Sequence, residues 1–226
     1  MKLSVIIPVY NEKNYISSIL EKVKDVPLEK EIIIVDDGST DGTTEILKQI
    51  RSDKEIKIIF QARNEGKGTA IRSGLKEITG DIVVIQDADL EYEPMDYLKL
   101  VEPIISGKTK VVYGSRILGR CPKSSLAFYL GGRFLSLLTS LLYNVKITDE
   151  PTGYKTFDVP VLKSLDLKCQ RFEFCPEVTA KVLKKGYKIY EVPINYHPRK
   201  ISEGKKINWK DGLQAVWTLI KYRFCD

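Results

Sequence analysis

The apolar residues in the first half of the chain follow two patterns in turn. One is a continuous apolar run, and the other is the spacing of a helix face. Leu3–Val9 is a continuous apolar run, and residues 16–23 then place apolar side chains at the spacing of one helix face. Similar apolar runs recur at residues 31–35, Ile56–Phe60, 81–85 and 110–113. Strands that alternate with helices are typical of a parallel sheet with crossover helices. The sequence therefore predicts an α/β, Rossmann-like fold in which helices flank a mostly parallel sheet.

The pattern changes beyond residue 118. A long apolar helix is predicted over residues 124–144, followed by a shorter helix near 176–185 and a strand near 188–192. The chain then ends in an amphipathic helix with a repeating apolar stripe. The stripe consists of Trp209, Leu213, Val216, Trp217, Ile220 and Phe224. No linker, repeat or low-complexity tract interrupts the chain, so we expect a single domain over residues 1–226.

Two interpretations fit the two apolar helices. They can pack on the core, as most amphipathic helices do. They can also lie on an anionic bilayer, because lysines and arginines surround Trp209 and Trp217. We favour peripheral contact with the cytoplasmic face of a membrane. Gly131, Gly132 and Arg133 interrupt the longer helix, so no membrane-spanning segment is expected, and residues 1–10 lack the pattern of a signal peptide.

The composition indicates a globular chain of moderate charge. Of the 226 residues, 43% are hydrophobic and 29% are charged, which excludes a disordered or fibrous protein. The net charge of +6 suits an anionic ligand or membrane surface and gives no reason to expect nucleic acid as a partner. The four cysteines form no Cys-x-x-Cys pair, so free thiols in a reducing cytoplasm are expected.

Polar clusters follow three of the predicted strands, at residues 8–12, 36–39 and 87–89. The carboxyl ends of parallel strands share one edge of the sheet, where ligands bind in open α/β folds. Asp87 and Asp89 would present hard oxygen ligands there for Mg²⁺ or Mn²⁺, together with the oxygens of a substrate diphosphate. The alternative for this Asp-x-Asp taken alone is that it caps a helix beginning near Pro94.

Three other signatures of nucleotide or acyl chemistry are missing. The chain has no Walker-type phosphate loop, no Gly-x-Gly-x-x-Gly turn after its first strand and no Gly-x-Ser-x-Gly nucleophile elbow. The interpretation left open is that the N-terminal half of the chain is a doubly wound α/β unit. It would hold a nucleotide diphosphate through carboxylates and a metal ion.

Four ordered motifs resemble those of the family 2 glycosyltransferases of GT-A fold. They are residues 5–12 (VIIPVYNE), 34–43 (IVDDGSTDGT), 64–68 (NEGKG) and 87–89 (DAD). Within the family, the sequence is most similar to the polyprenyl-phosphate (dolichyl-phosphate) mannose and glucose synthases, which residues 114–116, 148–154 and 199–206 also resemble. The resemblance implies that residues 1–118 bind a nucleotide sugar and residues 119–226 bind the acceptor.

The resemblance also implies a role for each matching residue of the donor half. The nucleotide-sugar pocket is expected to include Pro8, Tyr10, Glu12, Asp37, Lys67, Asp87, Ala88 and Asp89. Asp37 is expected to accept from a base N–H, while Asp87 and Asp89 are expected to bind Mg²⁺ or Mn²⁺. Glu91 stands where related mannose synthases often carry glutamine, and it is included as a further metal ligand.

Basic residues are the matching feature of the acceptor half. The acceptor phosphate is expected to contact Arg116, Arg133, Arg199 and Lys205. A guanidinium group suits this role because it can bind two phosphate oxygens at once. Asp149 is expected to act as a base or to orient the acceptor, so the predicted catalytic set is Asp149, Asp89 and Arg116. A solvated surface charge is the alternative for any one of these cations.

The activity implied by the resemblance is a metal-dependent, inverting transfer of a hexose from GDP-mannose or UDP-glucose to a polyprenyl phosphate. Two alternatives stay open at this point. One is a family 2 transferase that acts on a soluble or cell-surface glycan, and the other is a non-catalytic protein that binds nucleotide sugars. The oligomeric state does not follow from the sequence.

Overall fold

The computed structural model describes residues 1–50, 55–122, 125–199 and 206–225. Within these ranges the strands are β1 (Leu3–Val9), β2 (Lys30–Asp36), β3 (Ile56–Phe60), β4 (Ile82–Ile85), β5 (Val111–Ser115), β6 (Lys155–Asp158) and β7 (Ile189–Pro193). The helices are α1 (Ile16–Asp25), α2 (Thr43–Ile50), α3 (Lys67–Leu75), α4 (Tyr97–Ile105), α5 (Leu126–Tyr143), α6 (Val159–Lys163), α7 (Phe174–Lys184) and α8 (Trp209–Phe224). A short 3₁₀ turn, Pro94–Asp96, leads into α4.

The strands of the described ranges form one sheet in the order β3-β2-β1-β4-β6-β5-β7. Strand β1 pairs in parallel with β2 and β4, β2 pairs in parallel with β3, and β5 pairs in parallel with β7. Only β6 runs antiparallel to its neighbours, β4 and β5. The predicted α/β architecture with a mostly parallel sheet is therefore confirmed.

Helices cover both faces of the sheet, which explains the continuous apolar strands. All seven residues of β1 are buried. Val5 and Ile7 belong to the core layer that contains α1, whereas Ile6 belongs to the opposite layer, which contains α3. Successive side chains of a strand point to opposite faces, so a strand covered on both sides must be apolar throughout.

Strand β6 is the element that the hydrophobic pattern did not predict. Its four residues include Lys155 and Asp158, so it contains no apolar run. It enters the sheet because Thr156 pairs with Val84 of β4 and with Val112 of β5. Since β6 is antiparallel, the loop that precedes it lies at the carboxyl edge of its parallel neighbours. This places residues 148–153 beside the ends of β4 and β5.

Helices α5 and α8 expose their apolar faces. On α5, Ser136 and Thr139 are buried, whereas the large side chains of Leu130, Phe134, Leu137 and Leu141 are exposed. On α8 the predicted stripe likewise points outward, with Trp209, Leu213, Trp217 and Phe224 exposed. The two helices contact each other, since the Tyr143 hydroxyl donates to the Leu219 carbonyl at 2.8 Å. We call these eight exposed side chains the α5–α8 surface.

The expectation that no segment could span a membrane needs correction. Within the described ranges, α5 is long and apolar enough to cross a membrane by length and composition, and only 11% of its residues are buried. Arg133 and the two glycines interrupt the apolar character of α5 without ending the helix. This finding is about the length and composition of α5. The core helix of a soluble protein or a signal sequence can have the same length and composition.

Candidate active site

A cavity of about 410 Å³ opens at the carboxyl edge of the sheet. All eight residues expected to contact the nucleotide sugar line it: Pro8, Tyr10, Glu12, Asp37, Lys67, Asp87, Ala88 and Asp89. They converge because β1, β2 and β4 are parallel neighbours whose carboxyl ends lie at the same edge of the sheet. Strands β1 and β2 end together, with Val9 opposite Asp36, and β4 ends earlier, with Ile85 opposite Ile6. We call this the carboxylate cavity.

Asp37 is held rigidly at one side of the carboxylate cavity. One of its carboxylate oxygens accepts from the backbone N–H of Glu65 at 2.7 Å, and the other accepts from that of Gly66 at 2.8 Å. Gly66 has a φ of +95°, and a Cβ there would lie 2.5 Å from the Gln170 carbonyl oxygen, so this turn needs glycine. Burial raises the pKa of Asp37, and the neighbouring Glu65 and Asp36 add to the effect against those two hydrogen bonds.

Asp87 and Asp89 lie just beyond the end of β4. The Lys67 ammonium pairs with Asp87, and Asp89 accepts from the Arg199 guanidinium at 2.8 Å. Burial raises the pKa of Asp89 to about 7, with further contributions from the negative charges of Asp87 and Glu91. The Asp89 carboxylate is thus buried near two other negative charges, which the Arg199 guanidinium offsets only in part.

This arrangement fits a divalent cation at Asp87 and Asp89. Their oxygens are the hard ligands that Mg²⁺ and Mn²⁺ prefer, and a cation there would offset the repulsion that raises the pKa of Asp89. Within the described ranges, no three carboxylate, thiol or imidazole side chains form a ready-made metal cluster. Glu91 instead accepts from the backbone N–H of Arg199 at 2.6 Å. The fit therefore rests on two carboxylates, with water and diphosphate oxygens left to complete the coordination.

Asp149, which is buried, forms an ion pair with Arg116, which is partly exposed and lines this cavity. The guanidinium donates to both carboxylate oxygens, at 2.8 and 2.7 Å, and the Arg116 backbone N–H adds a third hydrogen bond of 2.8 Å. The Asp149 side chain is 4% exposed. Glu191 of β7 holds the loop in place, because its carboxylate accepts from the backbone N–H groups of Thr148 and Asp149.

A second cavity, of about 280 Å³, is lined by both members of this ion pair. Its basic lining residues are Arg116, Arg120 and Arg133, and Phe128 and Tyr129 of α5 add aromatic surface. We call it the arginine cavity. Arg116 and Tyr196 line both cavities, so the two cavities adjoin each other.

The structure brings only part of the predicted phosphate-binding set together. Arg116 and Arg133 line the arginine cavity. Arg199 lies instead in the carboxylate cavity, where its guanidinium contacts Glu12 at 3.0 and 3.2 Å besides Asp89. Lys205 lies outside the described residues. Its neighbour, Lys206, pairs with Glu12 at 2.7 Å.

Sequence reasoning missed three contributors to the site. Arg120 lines the arginine cavity. It follows Arg116 by four residues, and this spacing could have indicated that the two arginines lie close together. Glu191 is a charge inside a strand-like run, which is a signal for a buried polar contact. No motif in the sequence pointed to Tyr92. Its hydroxyl accepts from the backbone N–H of Gly153 at 2.8 Å and so ties the loop of residues 148–153 to the segment that follows β4.

Comparison with known proteins identifies the class. The family model described as glycosyl transferase family 2 matches residues 4–165. Glucosyl-3-phosphoglycerate synthase from Mycobacterium tuberculosis, solved with Mn²⁺, UDP and glucosyl-3-phosphoglycerate, superposes with a TM-score of 0.77 at 21% identity. That superposition covers 100% of this chain and 81% of that one. The fold is therefore the GT-A fold of nucleotide-sugar-dependent glycosyltransferases.

The chain belongs to glycosyl transferase family 2. A UDP-N-acetylglucosamine–dolichyl-phosphate N-acetylglucosaminyltransferase from Methanococcus voltae is 32% identical over 238 residues, which cover 96% of this chain and 94% of the relative. A dolichol-phosphate mannosyltransferase from Pyrococcus furiosus is 30% identical over 211 residues, covering 91% of this chain and 59% of the relative. The predicted family, and its similarity to sugar transferases of dolichyl phosphate, are confirmed.

Proposed function

We propose that this protein transfers a hexose from a nucleotide-diphosphate sugar to a polyprenyl phosphate. The observation that carries the proposal is the pair of adjoining cavities, one lined by carboxylates and the other by arginines, with Arg116 common to both. Similarity over nearly the whole chain to a dolichyl-phosphate sugar transferase supports the same acceptor.

The carboxylate cavity suits the donor. Asp37 can accept from a base N–H, because two backbone N–H groups already fix its carboxylate in place. Asp87 and Asp89 would hold a Mg²⁺ or Mn²⁺ ion, which supplies stabilisation of the charge on the departing diphosphate. GDP-mannose and UDP-glucose remain candidate donors. The Methanococcus voltae relative adds UDP-N-acetylglucosamine to the candidates.

The arginine cavity suits the acceptor phosphate. Arg116, Arg120 and Arg133 offer guanidinium groups, which bind phosphate oxygens in pairs. The aromatic rings of Phe128 and Tyr129 offer apolar contact for the first isoprene units. A phosphate held there would face the carboxylate cavity across the Arg116–Asp149 pair.

The reaction requires positioning more than proton transfer. An oxygen of the lipid phosphate attacks C1 of the sugar while the bond from C1 to the nucleoside diphosphate breaks, and its electron pair leaves with the diphosphate. The attacking oxygen is already ionised, so no proton needs to be removed. Both oxygens of Asp149 accept from Arg116, and we therefore assign Asp149 the orienting role rather than that of a base.

The α5–α8 surface would place the protein on the cytoplasmic face of a membrane. Exposed leucine, phenylalanine and tryptophan side chains on two contacting helices suit insertion into the headgroup region. Phe128 and Tyr129, which line the arginine cavity, belong to the same helix α5. A bound membrane would thus present its lipid phosphates near that cavity.

Sugar transfer to a short polyprenyl phosphate tests the proposed reaction. Radiolabelled GDP-mannose, UDP-glucose and UDP-N-acetylglucosamine are each supplied with and without Mn²⁺. Metal-dependent label in the lipid phase supports the proposal and identifies the donor. Label that appears only in a soluble glycan would identify a glycan, and not polyprenyl phosphate, as the acceptor. No transfer from any donor would favour a non-catalytic binding protein.

Flotation with phosphatidylglycerol vesicles tests the membrane contact separately. We expect the wild-type chain to float with the vesicles and the Leu137→Gln, Trp217→Gln double variant to remain in the soluble fraction. Met95→Gln is the matched control, because Met95 is 46% exposed but lies outside the α5–α8 surface. Equal flotation of all three proteins would contradict the contact.

A further inference from the structure

Arg199 bridges carboxylates from two different strand ends. Its guanidinium contacts Glu12, which follows β1, at 3.0 and 3.2 Å and Asp89, which follows β4, at 2.8 Å. Its backbone N–H is fixed by Glu91 at 2.6 Å. The Arg199 side chain is 12% exposed, so this is a largely desolvated ion pair rather than a surface contact.

A metal ion and the Arg199 guanidinium would both need Oδ2 of Asp89. Oδ1 of Asp89 already accepts from the backbone N–H of Glu91 at 3.1 Å, and Oδ2 accepts from Arg199. Mg²⁺ requires close contact with its oxygen ligands, and two positive groups on one buried carboxylate repel each other. A metal ion on Asp89 and the present position of Arg199 are therefore in competition.

We propose that Arg199 is an internal counter-cation for Asp89 that a divalent cation displaces, and that the displaced guanidinium then becomes available to the acceptor phosphate. The second half of this inference rests on the proposed function, whereas the first half does not. The proposed exchange of partners by Arg199 implies an order of binding. Metal and donor enter first, and their binding favours that of the acceptor, because Arg199 changes partners.

Lys206 makes this exchange feasible for Glu12. Its ammonium group lies 2.7 Å from Oε1 of Glu12 and also contacts the Tyr10 carbonyl. When Arg199 leaves, Glu12 keeps a positive neighbour. The carboxylate that loses its positive neighbour is Asp89, and the entering metal ion supplies the replacement charge.

Binding of Mn²⁺ to the full chain without any nucleotide is the first test, measured from the electron paramagnetic resonance of free Mn²⁺. We expect Arg199→Met to bind Mn²⁺ about tenfold more tightly than wild type, since one charge-assisted hydrogen bond corresponds to a factor of that order. Arg133→Met is the matched control and should leave the affinity unchanged. Unchanged or weaker binding in Arg199→Met, or no binding by any of these proteins, would overturn the inference.

In a second measurement the deciding comparison is between wild-type samples with and without Mn²⁺, so it does not depend on the folding of a variant. Phenylglyoxal labels accessible guanidinium groups, and mass spectrometry reports the rate at each arginine. Mn²⁺ should raise the labelling rate of Arg199 severalfold, leave that of Arg133 unchanged and have no effect on either in Asp89→Asn. Equal labelling of Arg199 with and without saturating Mn²⁺ would contradict its displacement.

Failure of this inference is distinguishable from failure of the proposed function. Sugar transfer to polyprenyl phosphate with no change in Mn²⁺ affinity in Arg199→Met would reject the competition and retain the reaction. Tighter Mn²⁺ binding in Arg199→Met without any transfer to lipid phosphate would retain the competition for Asp89 and reject the acceptor.

Discussion

Arg116 donates three hydrogen bonds to the single carboxylate of Asp149, two from its guanidinium and one from its backbone N–H. The pair joins the end of β5 to the loop before β6, and Arg116 lines both cavities. Asp149 therefore determines where the Arg116 guanidinium points, and Arg116 neutralises a carboxylate that is almost fully buried. We propose that the pair has both a structural and a functional role, which substitutions can separate.

Replacing Arg116 with methionine should cost both stability and activity. The buried Asp149 would lose its counter-charge, which costs about 3 to 5 kcal/mol in the free energy of unfolding. Loss of a group that neutralises the phosphates should lower kcat about 100-fold or more. Chemical denaturation and sugar-transfer kinetics measure the two effects.

The double variant Arg116→Met, Asp149→Asn separates these two roles. It removes both charges, so most of the lost stability should return, while activity should remain low. Recovery of activity together with stability would show that the pair is only structural.

Asp89→Asn should abolish turnover without unfolding the protein. The change removes the negative charge of a proposed metal ligand but keeps the size of the side chain. Asp81→Asn is a suitable control, since Asp81 precedes the same strand at its opposite end, where its carboxylate accepts from the Lys2 backbone N–H. We expect the control to retain wild-type kcat, and added chelator to reduce wild type to the level of Asp89→Asn. Substantial turnover by Asp89→Asn would contradict the metal assignment.

Gly68→Ala should destabilise the part of the carboxylate cavity that α3 forms. A Cβ at Gly68 would lie 2.9 Å from the backbone carbonyl carbons of Cys169 and Gln170, so α3 would have to move away from that segment. We expect the melting temperature to fall by about 5 °C or more and the KM for the donor to rise, because α3 begins with Lys67. Gly131→Ala provides the contrast, since nothing lies within 4 Å of its Cβ position in α5. This second change should stabilise the protein by about 1 kcal/mol through helix propensity alone.

Glu31 should stabilise the fold in a pH-dependent manner. Burial alone would raise its pKa, but hydrogen bonds from Ser4, Thr79 and Lys2 outweigh burial and lower the pKa to about 2, from 4.5. The stabilisation is therefore complete above pH 4.5 and disappears as the pH falls through about 2. Glu31→Gln should lose about 2 to 3 kcal/mol at pH 7 and differ little from wild type near pH 2. A stability difference that does not depend on pH would contradict this account.

The strand ends were predictable from sequence because they follow from local chemistry. A buried parallel strand must be apolar, and the polar residues that follow it must lie at the carboxyl edge. Tyr10, Asp37 and Asp89 follow such strands, and they line one cavity at that edge. The orientation of α5 and α8 was not predictable in this way. An apolar stripe fixes the side of a helix that avoids water but not what covers that side. Arg199 was also beyond local reasoning, because its partner Glu12 lies 187 residues away.

The place of β6 in the sheet has a consequence for synthesis of the chain. Residues 1–118 emerge first, and within them β4 is paired on one side only, to β1. Its other neighbour, β6, is made about 70 residues later, at Lys155–Asp158. Until then the edge of β4 at residues 82–84 has unpaired backbone groups, which can join strands from other chains. An N-terminal fragment that ends near residue 118 should therefore aggregate, and the nascent chain would need protection until β6 has left the ribosome.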